Sequence, residues 1–307
     1  MNIFEQVFGT LISEAIKASL ERASKNNNRK YDNNNKEIQQ NRGFESFVQR
    51  FIEIYKVHGI EETEISGFLH NRYSIKPSEV MNKDILLEKL SRELIDITNQ
   101  LFNLHEGWLE CGGYQIYKSL KIKTAFSFIN EISRLIDKYS DVTVLFLTNF
   151  NEDESSIKDI YMLLRAKIET FNNKEIYKYY PVGYTWYWGD QHNRYDIKSI
   201  IHLCDLLDIP AYGYRFNDII LSKLFCGCIH PSMVIKNEFQ LHRWEPILFM
   251  PENELYVTYE KEEYHDVLEY MREKGIFDKC KDIFRKDKTK FSKLELHEII
   301  YLNMDIS

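Results

Sequence analysis

The sequence predicts a mixed α/β fold that is mainly helical, in which an N-terminal helical bundle precedes a small α/β domain. Glycine and proline are scarce, at 12 and 6 of 307 residues, which favours long regular elements over tight turns. Apolar residues recur at helical spacing through residues 44–139. From residue 142 onward, short apolar runs rich in β-branched residues alternate with helical stretches, as is typical of an α/β domain.

The charge of the chain is unevenly distributed. The net charge is −7, yet residues 1–140 hold 19 basic and 19 acidic residues, while residues 141–307 hold 21 basic and 28 acidic ones. Contacts to phosphate groups require a basic face. We therefore expect any nucleic acid to contact a local patch within residues 1–140 and not the acidic C-terminal half.

Several features predict a cytoplasmic protein. No apolar run approaches the length that crosses a bilayer, and the first residues lack the basic region of a secretion signal, so no membrane partner is expected. The five cysteines are odd in number and scattered, which argues against a disulfide framework and favours a reducing compartment. Heavy use of Asn, Lys, Ile and Tyr is typical of AT-rich coding DNA, as in some bacteria and many mobile elements.

Residues 1–24 are predicted to form an amphipathic helix, because their apolar side chains recur on one stripe. Residues 25–43 are polar, rich in Asn and almost free of apolar residues, which predicts a flexible linker. A helix on such a linker either packs on its own domain or reaches another chain. A protein partner or self-association through residues 2–24, which would give an oligomer, is therefore an open interpretation.

Residues 44–139 are predicted to form a helical domain. Gly59 is expected to cap the first helix, and the polar residues 70–79 separate the second helix from the third. The expected helices span residues 44–57, 62–69, 83–102 and 123–138.

Residues 140–260 are predicted to form an α/β sensor or interaction domain, followed by a helical tail over residues 261–307. The apolar run 142–150 predicts a buried strand, and Ser155 or Ser156 is expected to cap a helix over residues 157–172. The other expected elements are strands at 211–215, 247–250 and 254–259 and helices at 195–207 and 217–225.

Residues 46–113 resemble lambda-repressor-like (XRE-type) helix-turn-helix domains. The matching residues are Phe51, Ile52, Tyr55, Gly59, Ile60, Ile97–Leu104, Trp108, Leu109 and Gly112. The resemblance implies a helical bundle in which a helix after residue 69 places exposed polar residues in the major groove of DNA. The sequence departs from that pattern at Pro77, which is excluded from a helix interior, so the recognition helix is expected to be short or missing.

The polar residues at this place are the candidate nucleic-acid contacts. Arg and Asn side chains read guanine and adenine edges, whereas Lys and Ser side chains hold phosphates. Glu61, Glu62 and Glu64 stand near them in sequence and would repel phosphate. The alternatives are a small helical bundle that keeps this fold without binding DNA and a plain oligomerisation domain. The candidates are Asn71, Arg72, Ser74, Lys76, Ser78 and Lys83.

An aromatic-rich stretch at residues 177–190 predicts a ligand pocket or an interface with aromatic walls. Trp and Tyr side chains supply large rigid contact areas and also carry a polar N–H or O–H group. The alternative is that these aromatic side chains pack a pair of strands against a helix. The candidate pocket residues are Tyr184, Trp186, Trp188, Asp190, His192 and Arg194.

Signatures of catalysis and metal binding are scarce. Cys226, Cys228 and His230 stand close together, but zinc takes four ligands and no second Cys/His pair accompanies them, so no metal is expected. No phosphate-binding glycine loop, G-x-S-x-G elbow or H-E-x-x-H motif is present, so no cofactor and no catalytic residue is assigned. Asp190 and His192 form one acid–imidazole pair beside the predicted pocket, which leaves an enzyme as an open alternative.

The leading hypothesis is a cytoplasmic, DNA-associated regulatory protein, acting in transcription regulation, with a C-terminal domain that senses a ligand or binds a partner. A second hypothesis is a non-enzymatic protein-interaction component of a bacterial defence or mobile-element system. A third is an enzyme of unrecognised class that uses Asp190 and His192.

Overall fold

The computed structural model describes residues 36–149, 159–235, 242–244, 246, 258–285, 287, 290, 292 and 294. The chain divides into two compact units, Met1–Ser46 and Phe47–Ser307. The predicted helix over residues 1–24 lies outside the described residues, as do the predicted strand at 247–250 and most of that at 254–259. The described fold is mixed α/β and rich in helix.

The twelve described helices form most of the secondary structure. A short 3₁₀ turn, Glu62–Glu64, precedes the second of them. They are α1 (Lys36–Val57), α2 (Ile65–Leu69), α3 (Pro77–Met81), α4 (Lys83–Lys89), α5 (Arg92–Phe102), α6 (Trp108–Cys111), α7 (Ala125–Lys138), α8 (Gln191–Leu206), α9 (Asp218–Phe225), α10 (Pro231–Ile235), α11 (Thr258–Glu273) and α12 (Ile276–Phe284).

Side-chain caps explain where several of these helices begin. The hydroxyl of Ser91 accepts a hydrogen bond from the backbone N–H of Leu94, so α5 starts here and the predicted helix over 83–102 is two helices and not one. The hydroxyl of Thr124 accepts from the N–H of Ser127 and starts α7 within one or two residues of the predicted place. The first helix begins at Lys36, inside the segment predicted as linker.

A five-stranded mixed sheet lies at the centre of the C-terminal part, in the order β3-β2-β1-β4-β5. Strands β1 and β4 are parallel, and every other neighbouring pair is antiparallel. The predicted strands at 142–150 and 211–215 and the predicted helices at 195–207 and 217–225 are confirmed to within a few residues. The strands are β1 (Val142–Asn149), β2 (Asp159–Phe171), β3 (Lys174–Tyr187), β4 (Ala211–Phe216) and β5 (His242–Trp244).

The helix predicted over residues 157–172 is wrong, because this segment is strand β2. Ile160, Met162 and Leu164 recur with a period of two and are buried in one core, while Leu163 faces a second core on the other side of the sheet. A cap signal at Ser155 or Ser156 was therefore weaker evidence than this alternation.

The two faces of the sheet carry different helices. The larger core packs α7, α8, α11 and α12 against one face, and the smaller core packs α9 and α10 against the other. Close approach requires glycine at one point of the sheet, since a Cβ at Gly213 would lie 2.3 Å from Cδ2 of Trp244.

The turn between β2 and β3 joins the sheet to the helical region. Asn172 and Asn173 have φ angles of 48° and 60°, the left-handed values that a two-residue hairpin needs. Beyond the turn, Ile176 is buried in the core of the helical region. The ring of Phe171 packs edge-on against Phe68 with centroids 5.5 Å apart. The end of the β2–β3 hairpin is therefore part of the hydrophobic core of the helical region.

Candidate functional site

The predicted DNA-contacting residues surround two short helices. Pro77 is the first residue of α3, and the side chain of Asn82 accepts hydrogen bonds from the first turn of α4. These signals divide the place of a recognition helix into helices of five and seven residues. Five of the six candidates are exposed around them: Asn71, Ser74, Lys76, Ser78 and Lys83.

The sixth candidate, Arg72, is partly buried and forms hydrogen bonds within the protein. Its guanidinium donates two hydrogen bonds to the carboxylate of Glu169 on β2, at 3.2 and 2.7 Å. The guanidinium also donates to the carbonyl of Phe68 at 2.9 Å and lies 5.0 Å from the centre of the Phe68 ring. Contact between Arg72 and a DNA base would break these hydrogen bonds. Arg72 instead connects the turn after α2 to strand β2.

Acidic side chains neutralise part of the surrounding charge. The carboxylate of Glu79 accepts from the backbone N–H of Lys76 at 2.8 Å and pairs with Lys89 at 3.2 Å. These two partners lower the pKa of Glu79, so it stays ionised. Among the residues that the structure describes, no ion pair holds the ammonium groups of Lys76 and Lys83.

The predicted aromatic pocket is largely filled by its own side chains. Trp186 is 1% exposed in the larger core, and its indole N–H donates to the carbonyl of Lys123 at 3.2 Å. The ring of Tyr184 packs edge-on against it, and the Tyr184 hydroxyl donates to Asn193 at 3.2 Å. The contacts of Tyr184 join β3 to α8.

Arg194, one polar residue of the predicted pocket, belongs to a hydrogen-bond network between α8 and α11. Arg194 donates to Glu263 at 2.5 Å and to the carbonyl of Trp188 at 2.8 Å. Lys198, whose side chain is 4% exposed, donates to the other oxygen of Glu263 and lies over the ring of Trp188. Burial raises the pKa of Glu263, but hydrogen bonds from Lys198 and Arg194 outweigh this effect and hold it below its usual value.

Asp190 and His192 lie at the start of α8. The Asp190 carboxylate accepts from the N–H of Asn193 at 2.9 Å and so caps the helix, and both side chains are exposed. No hydrogen bond joins the two within the described part of the chain. A buried carboxylate that sequence reasoning missed is Asp196, which accepts from the N–H of Ala125 at 2.8 Å and orders the start of α7.

The segment containing Cys226 and Cys228 packs against the helical region. The carbonyl of Gly227, whose φ is 65°, accepts from the N–H of Ile116 at 2.7 Å. His230 is buried beside Tyr117, with 2.9 Å between Nδ1 and the phenol oxygen. Burial lowers the pKa of His230 to about 4, so this imidazole is neutral at physiological pH. No group of three or more metal-ligating side chains occurs within the described ranges.

A cluster of four cations escaped the sequence-based prediction. Lys178 on β3 is 6% exposed and donates to the carbonyl of Gln100, with its ammonium 5.5 Å from the ring of Tyr180. Burial, together with the smaller effect of the neighbouring Lys138, Arg134 and Lys118, lowers the pKa of Lys178 to about 8. We call Lys118, Arg134, Lys138 and Lys178 the Lys178 cluster.

Two tyrosines border the Lys178 cluster. The hydroxyl of Tyr180 donates to the hydroxyl of Tyr139 at 3.0 Å, which links β3 to the end of α7. Tyr139 also lines a small cleft of about 270 Å³, whose wall holds two carboxylates, Asp141 and Asp208, and one cation, Lys290. The cleft is therefore a poorer place for an anion than the cluster.

One sequence signal pointed to the Lys178 cluster. Arg134 and Lys138 are four residues apart on a predicted helix and therefore lie on one face. Their proximity to Lys178 depends on how α7 packs beside β3, which no local pattern shows.

Comparison of the chain with protein-family models, with curated proteins and with solved structures finds no match. Within the described residues, no helix is both long and apolar enough to cross a membrane.

Proposed function

We propose that the protein is a DNA-associated regulatory protein, in which the surface around α3 and α4 contacts DNA and the α/β region binds an effector or partner. One observation carries the proposal: five polar side chains are exposed around two helices that Val80 and Leu86 anchor in the core. The five are Asn71, Ser74, Lys76, Ser78 and Lys83.

The packing beneath this surface supports the proposal. Ile75, Val80 and Leu86 are buried in the helical core, so they fix the orientation of α3 and α4 and leave the polar residues facing outward. The five side chains include the types that pair with base edges and phosphates. A preorganised surface loses less conformational entropy on binding than a loop would.

The contacts between α2 and β2 support a regulatory role. Arg72 binds Glu169, and Phe68 packs on Phe171, so the helical region follows any shift of the β2–β3 hairpin. A ligand that binds better to one position of the hairpin would change the population of DNA-competent molecules.

Fluorescence anisotropy with a labelled duplex tests the proposal. We expect binding at low salt that is weakened in the double variant Lys76→Ala with Lys83→Ala. Lys56→Ala removes an exposed lysine from α1 and serves as the matched control. Equal binding by all three proteins would exclude this surface, and absence of binding at low salt would exclude the function.

A protein-interaction role is the second candidate, because two large apolar side chains are exposed on the same helices. Met81 and Ile85 are 53% and 38% exposed. Methionine is enriched at protein interfaces, and apolar side chains of this size are more often buried. If this surface joins two copies of the chain, sedimentation will show a dimer that Met81→Ser with Ile85→Ser dissociates. A monomer at all concentrations would exclude that interface.

A further inference from the structure

We propose that the Lys178 cluster is a binding site for a small ligand that carries a phosphate group. The site lies where β3, the end of α7 and the segment after α6 meet, and the argument for it is independent of the DNA proposal. It rests on the burial of Lys178, the convergence of cations from three segments and a hydroxyl donor beside them.

Lys178 is buried without a counter-charge. Its ammonium has three protons, and the carbonyl of Gln100 accepts one of them. No carboxylate lies within 4 Å of this ammonium among the described residues. A buried charge is unfavourable unless it is paired and fully hydrogen-bonded, so an anion would relieve a cost that the folded protein now carries.

Further cations lie around Lys178. The ammonium groups of Lys178 and Lys138 lie over the rings of Tyr180 and Tyr139, whose hydroxyls are 3.0 Å apart. Arg134 and Lys138 lie one turn apart on α7. Lys118 is held beside β3, because the side chain of Asn103 donates to the carbonyls of both Lys118 and Tyr179, at 2.8 and 3.1 Å. Like charges repel, so their convergence from separate segments disfavours the empty site and favours an anion within it.

The neighbouring acids do not cancel this charge. Arg134 pairs with Glu131 at 2.6 Å, and Lys118 pairs with Glu106 at 3.7 Å. Both pairs are at the surface, where the exchange of a carboxylate for a ligand anion costs little. The pairs also leave Lys178 itself and Lys138 to supply positive charge to the site.

The donors around the cluster suit a tetrahedral oxyanion. The hydroxyl of Tyr139 accepts a hydrogen bond from that of Tyr180 and therefore keeps its own proton for donation. One guanidinium, three ammonium groups and a hydroxyl match a group with several acceptor oxygens and two negative charges better than they match a single carboxylate. Inorganic phosphate and the phosphate of a nucleotide share this chemistry.

Thermal unfolding with added ligand tests the proposal. Inorganic phosphate, a nucleoside monophosphate and sodium chloride of equal ionic strength are compared on the full chain. We expect the first two to raise the melting temperature beyond the effect of chloride. The nucleotide will give the larger shift if the base is also bound, and equal shifts at equal concentration identify phosphate alone as the ligand.

Variants locate the site. Lys178→Met is expected to abolish the phosphate shift, Arg134→Gln to reduce it several-fold, and Lys56→Met to leave it unchanged. Lys178→Met without ligand is expected to be at least as stable as the wild type, so its loss of binding cannot be attributed to unfolding. A full phosphate shift in Lys178→Met, or no shift beyond chloride in the wild type, would overturn the proposal.

Titration of the Lys178 ammonium by NMR gives a second readout. Bound phosphate is expected to raise its pKa, because a nearby anion favours the charged form. An unchanged pKa at saturating phosphate would contradict direct contact. Neither readout depends on Lys76 or Lys83, so this proposal and the DNA proposal fail separately.

Discussion

The guanidinium of Arg72 binds both oxygens of the Glu169 carboxylate, although 97 residues separate the two in the chain. This pair joins the turn after α2, which precedes the proposed DNA surface, to strand β2. Its geometry is the two-bond arrangement that makes arginine–carboxylate pairs stronger than single hydrogen bonds. The pair therefore links the proposed DNA surface to the α/β region.

Removal of this pair is expected to destabilise the fold. Arg72→Ala or Glu169→Gln should each lower the free energy of unfolding by about 1–3 kcal/mol, because each leaves a partly buried charged or polar group without its partner. Urea unfolding measures the effect. The exposed pair Arg285–Asp282 is the control, and Arg285→Ala should cost less than about 0.5 kcal/mol. Equal losses in both pairs would contradict a special role for Arg72.

The buried network between α8 and α11 gives a second prediction. Glu263→Gln leaves Lys198 buried without a carboxylate, which should cost about 3 kcal/mol of unfolding free energy. Adding Lys198→Met to that variant should recover much of the loss, because the uncompensated charge is then absent. A double variant no more stable than Glu263→Gln alone would show that the carboxylate acts through Arg194 and not through Lys198.

The buried imidazole of His230 predicts a dependence of stability on pH. Its pKa falls from 6.5 in the unfolded chain to about 4 in the folded one, so the unfolded state binds more protons between these values. The stability is complete above pH 6.5 and decreases as the pH falls toward 4, by roughly 3 kcal/mol in total. Urea midpoints for the wild type and for His230→Asn should converge in this window. Parallel curves would contradict the assignment.

The opposite end of the pH scale tests Lys178. Its pKa is about 8 in the folded chain and 10.5 in the unfolded one, so the unfolded state binds more protons between pH 8 and pH 10.5. The free-energy cost of burying the charged ammonium is fully present below pH 8 and disappears as the pH rises to 10.5. The free energy of unfolding should therefore increase by roughly 3 kcal/mol over this range. Lys178→Met should therefore be more stable at pH 7 and should remove this rise. A destabilised variant at pH 7 would contradict the view of Lys178 as an unpaired charge.

The elements that were predicted correctly depend on local signals. The apolar run of β1 is buried on both faces, and residues 211–215 and the helices on either side of them follow their own periodicity. The helix predicted over 157–172 is wrong because that prediction relies on a serine cap, whereas the period-two alternation of Ile160, Met162 and Leu164 indicates a strand. The predicted helix over 83–102 failed at Ser91, where a side-chain cap was overlooked.

The sites depend more on tertiary packing, which the sequence does not display. The six candidate DNA contacts were selected by residue type, and nothing near Arg72 in the sequence indicates that Glu169 binds it. Trp186 and Arg194 are predicted as pocket residues because aromatic and polar residues cluster around them in the sequence. Their hydrogen-bond partners lie on other segments of the fold. The Lys178 cluster was missed because its four cations come from three separate segments.

The salt dependence of DNA binding tests the central claim most directly. Lys76 and Lys83 are the exposed lysines that would contact phosphates on the proposed surface. Each phosphate that a lysine neutralises contributes about −0.9 to the slope of log K against log salt concentration. We expect a slope of about −2 for the wild type and a slope near zero for the variant that lacks both lysines. Identical slopes for the two proteins, or no binding to any duplex at low salt, would contradict DNA association through α3 and α4.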